Sequence, residues 1–176
     1  MWHFLQISQA IWIGTKIAEV NPHSTITNNN LIATKNGGEA WNCIITGDKE
    51  IPKDKISKWK IKINKDKKNS RNMDILIGIG PKGLKGNLYE KCWSICSYVN
   101  SIIKLQLKEN LSNYSNHNEI IKAGDIIEVI IDRKLGNLSF AVNNVNYGIA
   151  CSSIPKEDIL YPTIILYEKG LSVEIL

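Results

Sequence analysis

Three groups of residues in this 176-residue chain have types and spacings that could carry chemistry. The first, Gly78-Ile79-Gly80-Pro81-Lys82-Gly83, matches the G-x-G-x-x-G spacing with which a strand–turn–helix unit cradles a pyrophosphate. That role requires a helix N-terminus directly after the turn, whose free amides hold the anion. Here the continuation is Leu84-Lys85-Gly86-Asn87, with another glycine and no apolar helical stripe, and a proline lies between the glycines. The stretch reads as a glycine-rich turn leaving a strand. The second group is Cys92 and Cys96. On a strand, residues four apart share a face but stand about 13 Å from each other, too far to chelate one ion. His3, His23 and His117 are scattered, and Asp125, Glu128 and Asp132 form no acid–base pair. No G-x-S-x-G, H-E-x-x-H or phosphate-loop motif is present, so neither catalysis nor a cofactor or metal is expected.

The third group is charge. The chain carries +5, and Lys49 to Lys68 holds nine lysines against Glu50, Asp54 and Asp66, leaving the other residues at −1. A phosphate-tracking surface is one reading. The other is the solvated face of a strand followed by the loop Asn64–Ser70, with lysines that also discourage edge-to-edge aggregation. Readers of nucleic acid favour arginine and interleaved aromatic rings, and only Trp59 lies in this stretch. Among the aromatics, Trp59, Trp93 and Tyr161 fit a core, whereas Tyr89, Tyr98 and Tyr167 fall at strand ends or in loops. There a rigid amphipathic ring can anchor a partner.

The elements that must position these residues are short strands. Ser57-Lys58-Trp59-Lys60-Ile61-Lys62-Ile63 alternates with period 2, sending Trp59, Ile61 and Ile63 to one face and the lysines to the other. Asn137–Asn143 repeats this with Leu138, Phe140 and Val142, and Ser172–Ile175 does so again. Met73–Ile79 and Ile126–Ile131 are continuously apolar, as central strands are. Further strands are expected over Leu31–Thr34, Trp41–Thr46, Trp93–Tyr98, Ile102–Leu107 and Pro162–Tyr167. Asp132–Gly136 and Asn143-Asn144 supply hairpin turns. Ile7–Val20 could hold a short helix. Strands spaced by about 8–12 residues point to an all-β sandwich or barrel.

Composition agrees. The chain is 43% hydrophobic and 22% charged, in the range of folded globular proteins. No apolar run approaches the roughly 18 residues of a membrane span. Ile, Lys and Asn number 30, 20 and 19 while Arg occurs twice, a bias that follows AT-rich codons. Met1–Ser8 lacks a basic start, and Cys43, Cys92, Cys96 and Cys151 have no disulfide framework, so a reduced, intracellular (cytoplasmic) protein with buried free thiols is expected.

The second half resembles the SPRY (B30.2-type) domain family. The carrying residues are Lys122-Ala123-Gly124-Asp125, the apolar strand to Asp132, and Gly136-Asn137-Leu138-Ser139-Phe140-Ala141-Val142-Asn143. Gly148-Ile149-Ala150, Tyr161-Pro162 and Gly170-Leu171-Ser172-Val173 follow in order. Upstream, Lys58–Ile63, Ile77-Gly78-Ile79-Gly80 and Cys92-Trp93-Ser94-Ile95 resemble further family segments. The resemblance implies a twisted β-sandwich of two antiparallel sheets over residues 30–176, with residues 1–29 as an extension packed on it. It also implies a non-catalytic, monomeric module that binds a peptide or protein surface through loops at one end, often as substrate receptor of a ubiquitin ligase. The family's peptide-binding loops correspond here to Asn36, Gly38 and Ala40, to Tyr89, with Tyr98 as a further aromatic, and to Tyr167, Glu168 and Lys169. The Arg and Pro of the first loop and the Val-Trp-Gly of the last are replaced, so a different peptide is expected. Binding of nucleic acid or an acidic surface through Lys49–Lys68 is the alternative.

Overall fold

The alternation of β-branched and polar residues builds two antiparallel sheets in the computed structural model. It describes residues 10–20, 23–38, 40–65, 74–85, 88–98, 102–107, 110–114 and 121–176. The strands are β1 (Ile11–Trp12), β2 (Ile17–Val20), β3 (Ser24–Thr27), β4 (Ile32–Lys35), β5 (Cys43–Gly47), β6 (Ile56–Lys65), β7 (Ile75–Gly80) and β8 (Trp93–Tyr98). They continue with β9 (Ile102–Leu107), β10 (Asn110–Asn113), β11 (Ile126–Asp132), β12 (Asn137–Val142), β13 (Val145–Cys151), β14 (Tyr161–Leu166) and β15 (Ser172–Ile175). One sheet runs β13-β12-β11-β6-β15-β4-β3, with β1 added in parallel to β6; the other runs β10-β9-β8-β7-β14-β5-β2.

The register of β6 shows why the sequence folds this way. Trp59 pairs with Val129 and Ile61 with Ile127, so the apolar parity of both strands faces the other sheet. Trp59, Ile61, Ile63, Leu138 and Phe140 are wholly buried there, as their alternation predicts. In β7 both parities are buried. Ile75, Ile77 and Ile79 face the core between the sheets. Leu76 joins Ile44, Cys92, Cys96 and Ile165 in a second, smaller cluster on which Trp41 and Leu84 pack. A strand covered on both faces needs no alternation, which explains the continuous run Ile75–Ile79.

Turn chemistry follows the expected sites. Asn143 and Asn144 both adopt positive φ (50° and 69°), the primed turn whose twist matches its flanking strands. The Asn143 side chain accepts from Ile126 N and donates to Asp125 Oδ1, while Asp125 Oδ2 accepts from Lys122 N. Asp125 thus holds a strand entry, and its carboxylate is fully occupied with structure. None of the four cysteines is in a disulfide, all four are buried, and burial pushes the Cys92 thiol up to about 12.

Some elements differ from the sequence expectation. Residues 10–20 hold no helix: β1 and β2 lie there, and Ile13, Thr15 and Ile17 are buried in turn with exposed residues between them, a period of two that a helix does not have. The strands β3, β10 and β13 were not expected. All three are edge strands, and two of them have polar sequences, Ser-Thr-Ile-Thr and Asn-Leu-Ser-Asn, whose pairing comes from the neighbour rather than from their own pattern. Before β4, Asn28, Asn29 and Asn30 all have positive φ, a conformation asparagine tolerates better than most residues. The expected loop Asn64–Ser70 lies largely outside the described residues.

Candidate functional site

The two connections that cross between the sheets at one end of the sandwich lie side by side. Residues 36–42 carry the chain from β4 to β5, and residues 167–171 carry it back from β14 to β15. Ala40 N donates to Tyr167 O (3.1 Å), Gly170 N to Lys35 O (2.8 Å) and Lys35 N to Leu171 O (2.9 Å). Tyr167 N is received by Asp74 O, just ahead of β7. Gly170, at φ 92°, makes the reversal that returns the second connection to the sheet.

Beneath both connections sits Lys35, which is wholly buried. Its ammonium donates to Ala40 O, to Asn42 Oδ1 (2.8 Å) and to Leu166 O (3.2 Å). An ammonium has three protons, and these three acceptors can take them all. Burial lowers the Lys35 pKa, with the neighbouring Cys43 acting in the opposite direction, and burial raises that of Cys43. Above the anchor, the rings of Trp41 and Tyr167 meet with centroids 5.1 Å apart at 55°, both half-buried.

Next to Tyr167 the electrostatics change sign. Glu168 is only 9% exposed, and its Oε2 is buried with no hydrogen-bond partner. Asp74 Oδ1 is likewise buried without a donor. Burial, and after it the charge of Glu168, raises the Asp74 carboxyl above its ordinary value. A carboxyl raised by folding contributes stability that is complete below its unfolded pKa and is lost as pH rises through the folded value. Asp74→Asn, which mimics the neutral acid, is therefore expected to raise the melting temperature more at about pH 7 than at about pH 4. Thermal melts of both proteins at the two pH values check this, and an equal difference at both would contradict it.

Of the residues expected from the sequence, Asn36, Gly38, Ala40, Tyr167, Glu168 and Lys169 are brought together in these two connections. Asn36 N donates to His23 O (2.7 Å), its side-chain amide bonds Thr25 Oγ1, Gly38 has φ 40°, and Lys169 is exposed. For Tyr89 and Tyr98 only the backbone is described. Tyr98 ends β8 next to Ser97, which pairs with Ile75, so its backbone lies at this end of the sheet but beyond β7. Tyr89 lies in the 3-10 turn Leu88–Lys91. That turn enters β8 where Trp93 pairs with Ile79, and Gly80 in turn pairs with Tyr161. The segment thus joins the sheet at the far end of β14 from Tyr167, and no described contact links the two. There Pro81, Glu90, Trp93, Asp158 and Leu160 line an open cavity of about 550 Å³, and the Lys82 ammonium stands 5.7 Å from the ring of Tyr161.

Lys35, Trp41 and Asp74 were not singled out from the sequence. For Lys35 a signal existed: in Ile32-Ala33-Thr34-Lys35 it shares the parity of Ala33, the buried face of β4. The Lys49–Lys68 stretch is distributed otherwise. Lys60 pairs across strands with Glu128 and Lys62 with Glu174, and Lys53 forms an ion pair with Glu157 (3.8 Å). The Lys58 and Lys60 ammoniums stand 4.6 and 5.3 Å from the Trp12 ring. A phosphate backbone following this face would meet carboxylates beside Lys60 and Lys62.

In this sandwich of two antiparallel sheets, Gly78 and Gly80 sit in β7 where neighbouring strands leave little room for a Cβ, and Gly83 turns the chain at φ 75°. The SPRY domain family model matches residues 56–176, and the chain belongs to that family, whose domains are generally non-catalytic protein-interaction modules. The human HERC1 SPRY domain superposes with a TM-score of 0.69 at 19% identity, covering 89% of this chain and 96% of that one. The TRIM65 PSpry domain gives 0.69 at 9% identity, with 99% and 97% covered. Stonustoxin gives 0.69 at 13% identity over 94% of this chain and 29% of its own. No curated protein matches the sequence.

Proposed function

We propose that this chain recognises a short peptide or an exposed protein loop at the paired connections 36–42 and 167–171. The observation that carries this reading is the rigid frame under them. Three main-chain hydrogen bonds and the buried Lys35 ammonium fix both connections before any partner arrives. A preordered surface loses less conformational entropy on binding, and paired aromatic rings at its centre are the usual anchors of binding energy. In the cell such a module would act within the cytoplasm as a monomer, with residues 1–29 as an extension of the domain. Service as substrate receptor of a ubiquitin ligase would require a ligase component supplied by another chain or by a longer form of this one.

The test is a binding comparison between wild type and the double variant Trp41→Ala/Tyr167→Ala, using partners captured by the wild type and then purified. The variant is expected to bind at least about 30-fold more weakly, the loss of a pair of anchor residues. Variants at Lys58, Lys60 and Lys62 should leave affinity within about twofold, as for charges outside an interface. Undiminished binding by the double variant would place the interface elsewhere.

A further inference from the structure

We propose that this site is built for an arginine of the partner, whose guanidinium lies between the carboxylates of Asp74 and Glu168 and against the ring of Tyr167. The proposal rests on the reading of connections 36–42 and 167–171 as the recognition surface, and adds the chemistry of the ligand.

It starts from an anomaly. Buried carboxylate oxygens are nearly always given donors, because leaving one unserved costs free energy that packing does not return. This protein follows that rule at Asp125, where each oxygen has a donor at 2.9 Å. It breaks the rule twice at one place. Glu168 Oε2 and Asp74 Oδ1 are both buried without a partner, and the two carboxyls are near enough for the charge of Glu168 to oppose ionisation of Asp74.

The chain does not supply the missing donor from its own described cations. The Lys35 ammonium is engaged by Ala40 O, Asn42 Oδ1 and Leu166 O below the loops. Lys169 follows Glu168 directly, yet its side chain is exposed. Among the described residues the ion pair given above, Lys53–Glu157, belongs to other elements. Two acceptors with no donor beside a recognition surface are complementary to a cation from a partner, which they would meet by turning outward, since both oxygens are closed to solvent in the unbound protein.

The form of that cation follows from the acceptors. Among the described residues no third His, Cys, Asp or Glu joins the two carboxyls, so a divalent metal would have to draw most of its ligands from water. An ammonium offers a point charge, whereas a guanidinium presents a planar fork of donors that can serve two separate carboxylates at once. Its flat face also stacks on an aromatic ring, and Tyr167 stands next in sequence to Glu168, half-buried and braced by Trp41. Binding would remove the repulsion between the two carboxyls, so the unbound protein carries a cost that an arginine partner relieves.

A random heptapeptide library panned against the whole chain, followed by calorimetry on the synthetic peptides it yields, tests this. Enriched peptides are expected to share an arginine, and exchanging it for the neutral isostere citrulline should weaken binding about tenfold or more. Glu168→Gln should weaken the arginine peptide by a similar factor while shifting the melting temperature of the free protein upward. A residue that merely held the fold together could not give that pair of results. Peptides that lose binding to Trp41→Ala/Tyr167→Ala but carry no shared cation, or that ignore both citrulline and Glu168→Gln, would overturn the arginine inference and leave the recognition surface standing. Peptides indifferent to Trp41→Ala/Tyr167→Ala, or no enrichment at all, would overturn the surface and the inference with it.

Discussion

Arg133→Met should lower the stability of the domain by about 3 kcal/mol or more, the scale of removing a buried charged donor from the acceptors built around it. Arg133 is wholly buried at the β11–β12 turn, and its Nη2 shares its two protons among Pro155 O (3.2 Å), Lys156 O (2.9 Å) and Asp158 O (2.6 Å). Those carbonyls belong to the connection from β13 to β14, which has no regular structure of its own. The guanidinium is what closes it, with help from Ile154 N donating to Gly136 O (3.1 Å). Methionine fills a similar volume but donates nothing, so three carbonyls must find water or move. Arg133→Lys, which keeps a charged donor, should recover part of the loss. Urea unfolding of the three proteins reads the result. A loss under about 1 kcal/mol for the methionine variant would mean that solvent already serves these carbonyls.

Gly78→Ala is expected to cost as much although it adds a single methyl group. A Cβ at Gly78 would lie 2.0 Å from Trp93 O and 2.6 Å from Ser94 Cα. Both atoms are backbone of β8, which cannot swing aside as a side chain can. The β7–β8 ladder must open, separating strands that bury Ile77 and Ile95 against the core. Overpacking of this kind costs about 1–3 kcal/mol and more where the obstacle is main chain. Gly14→Ala is the matched control. Its Cβ would meet nothing within 4 Å and its φ is not positive, so its stability should stay within about 0.5 kcal/mol of wild type. Equal melting temperatures for the two variants would contradict the close approach.

These two positions show what could be read from the sequence and what could not. Gly78 was visible as part of a glycine-rich run, and the absence of a following helix excluded phosphate binding. Its purpose, a close strand approach, depends on β8, which begins fifteen residues further on, and needs coordinates. Arg133 had a compositional signal. In a chain that uses lysine 20 times and arginine twice, an arginine marks a place where the default cation did not suffice. The central strands were legible because period 2 and burial coincide in β6 and β12, and unbroken apolar runs mark β7 and β11. The edge strands β3 and β10 were not, since their pairing is imposed by neighbours. At the recognition surface, residues 36–40 and 167–169 came from family resemblance. Asp74 did not, because it approaches the others only through the pairing of β7 with β14. Tyr89 was grouped with them by order in the motif, whereas its turn enters the sheet at the opposite end of the strand.

Lys35 has a consequence for how such a domain can change over generations. Two of its three acceptors, Ala40 O and Leu166 O, are main-chain oxygens, which every amino acid supplies. The third, Asn42, sits at the foot of the first connection rather than at its tip. The clasp is therefore blind to the side chains at the non-glycine positions of 36–41 and 167–169. Mutation can rewrite those side chains, and with them the choice of partner, without loosening the fastening. A lineage can thus diversify its targets on one unchanged chassis, and a designer could randomise the non-glycine positions of the two connections as a library while leaving Lys35, Asn42, Gly38 and Gly170 alone.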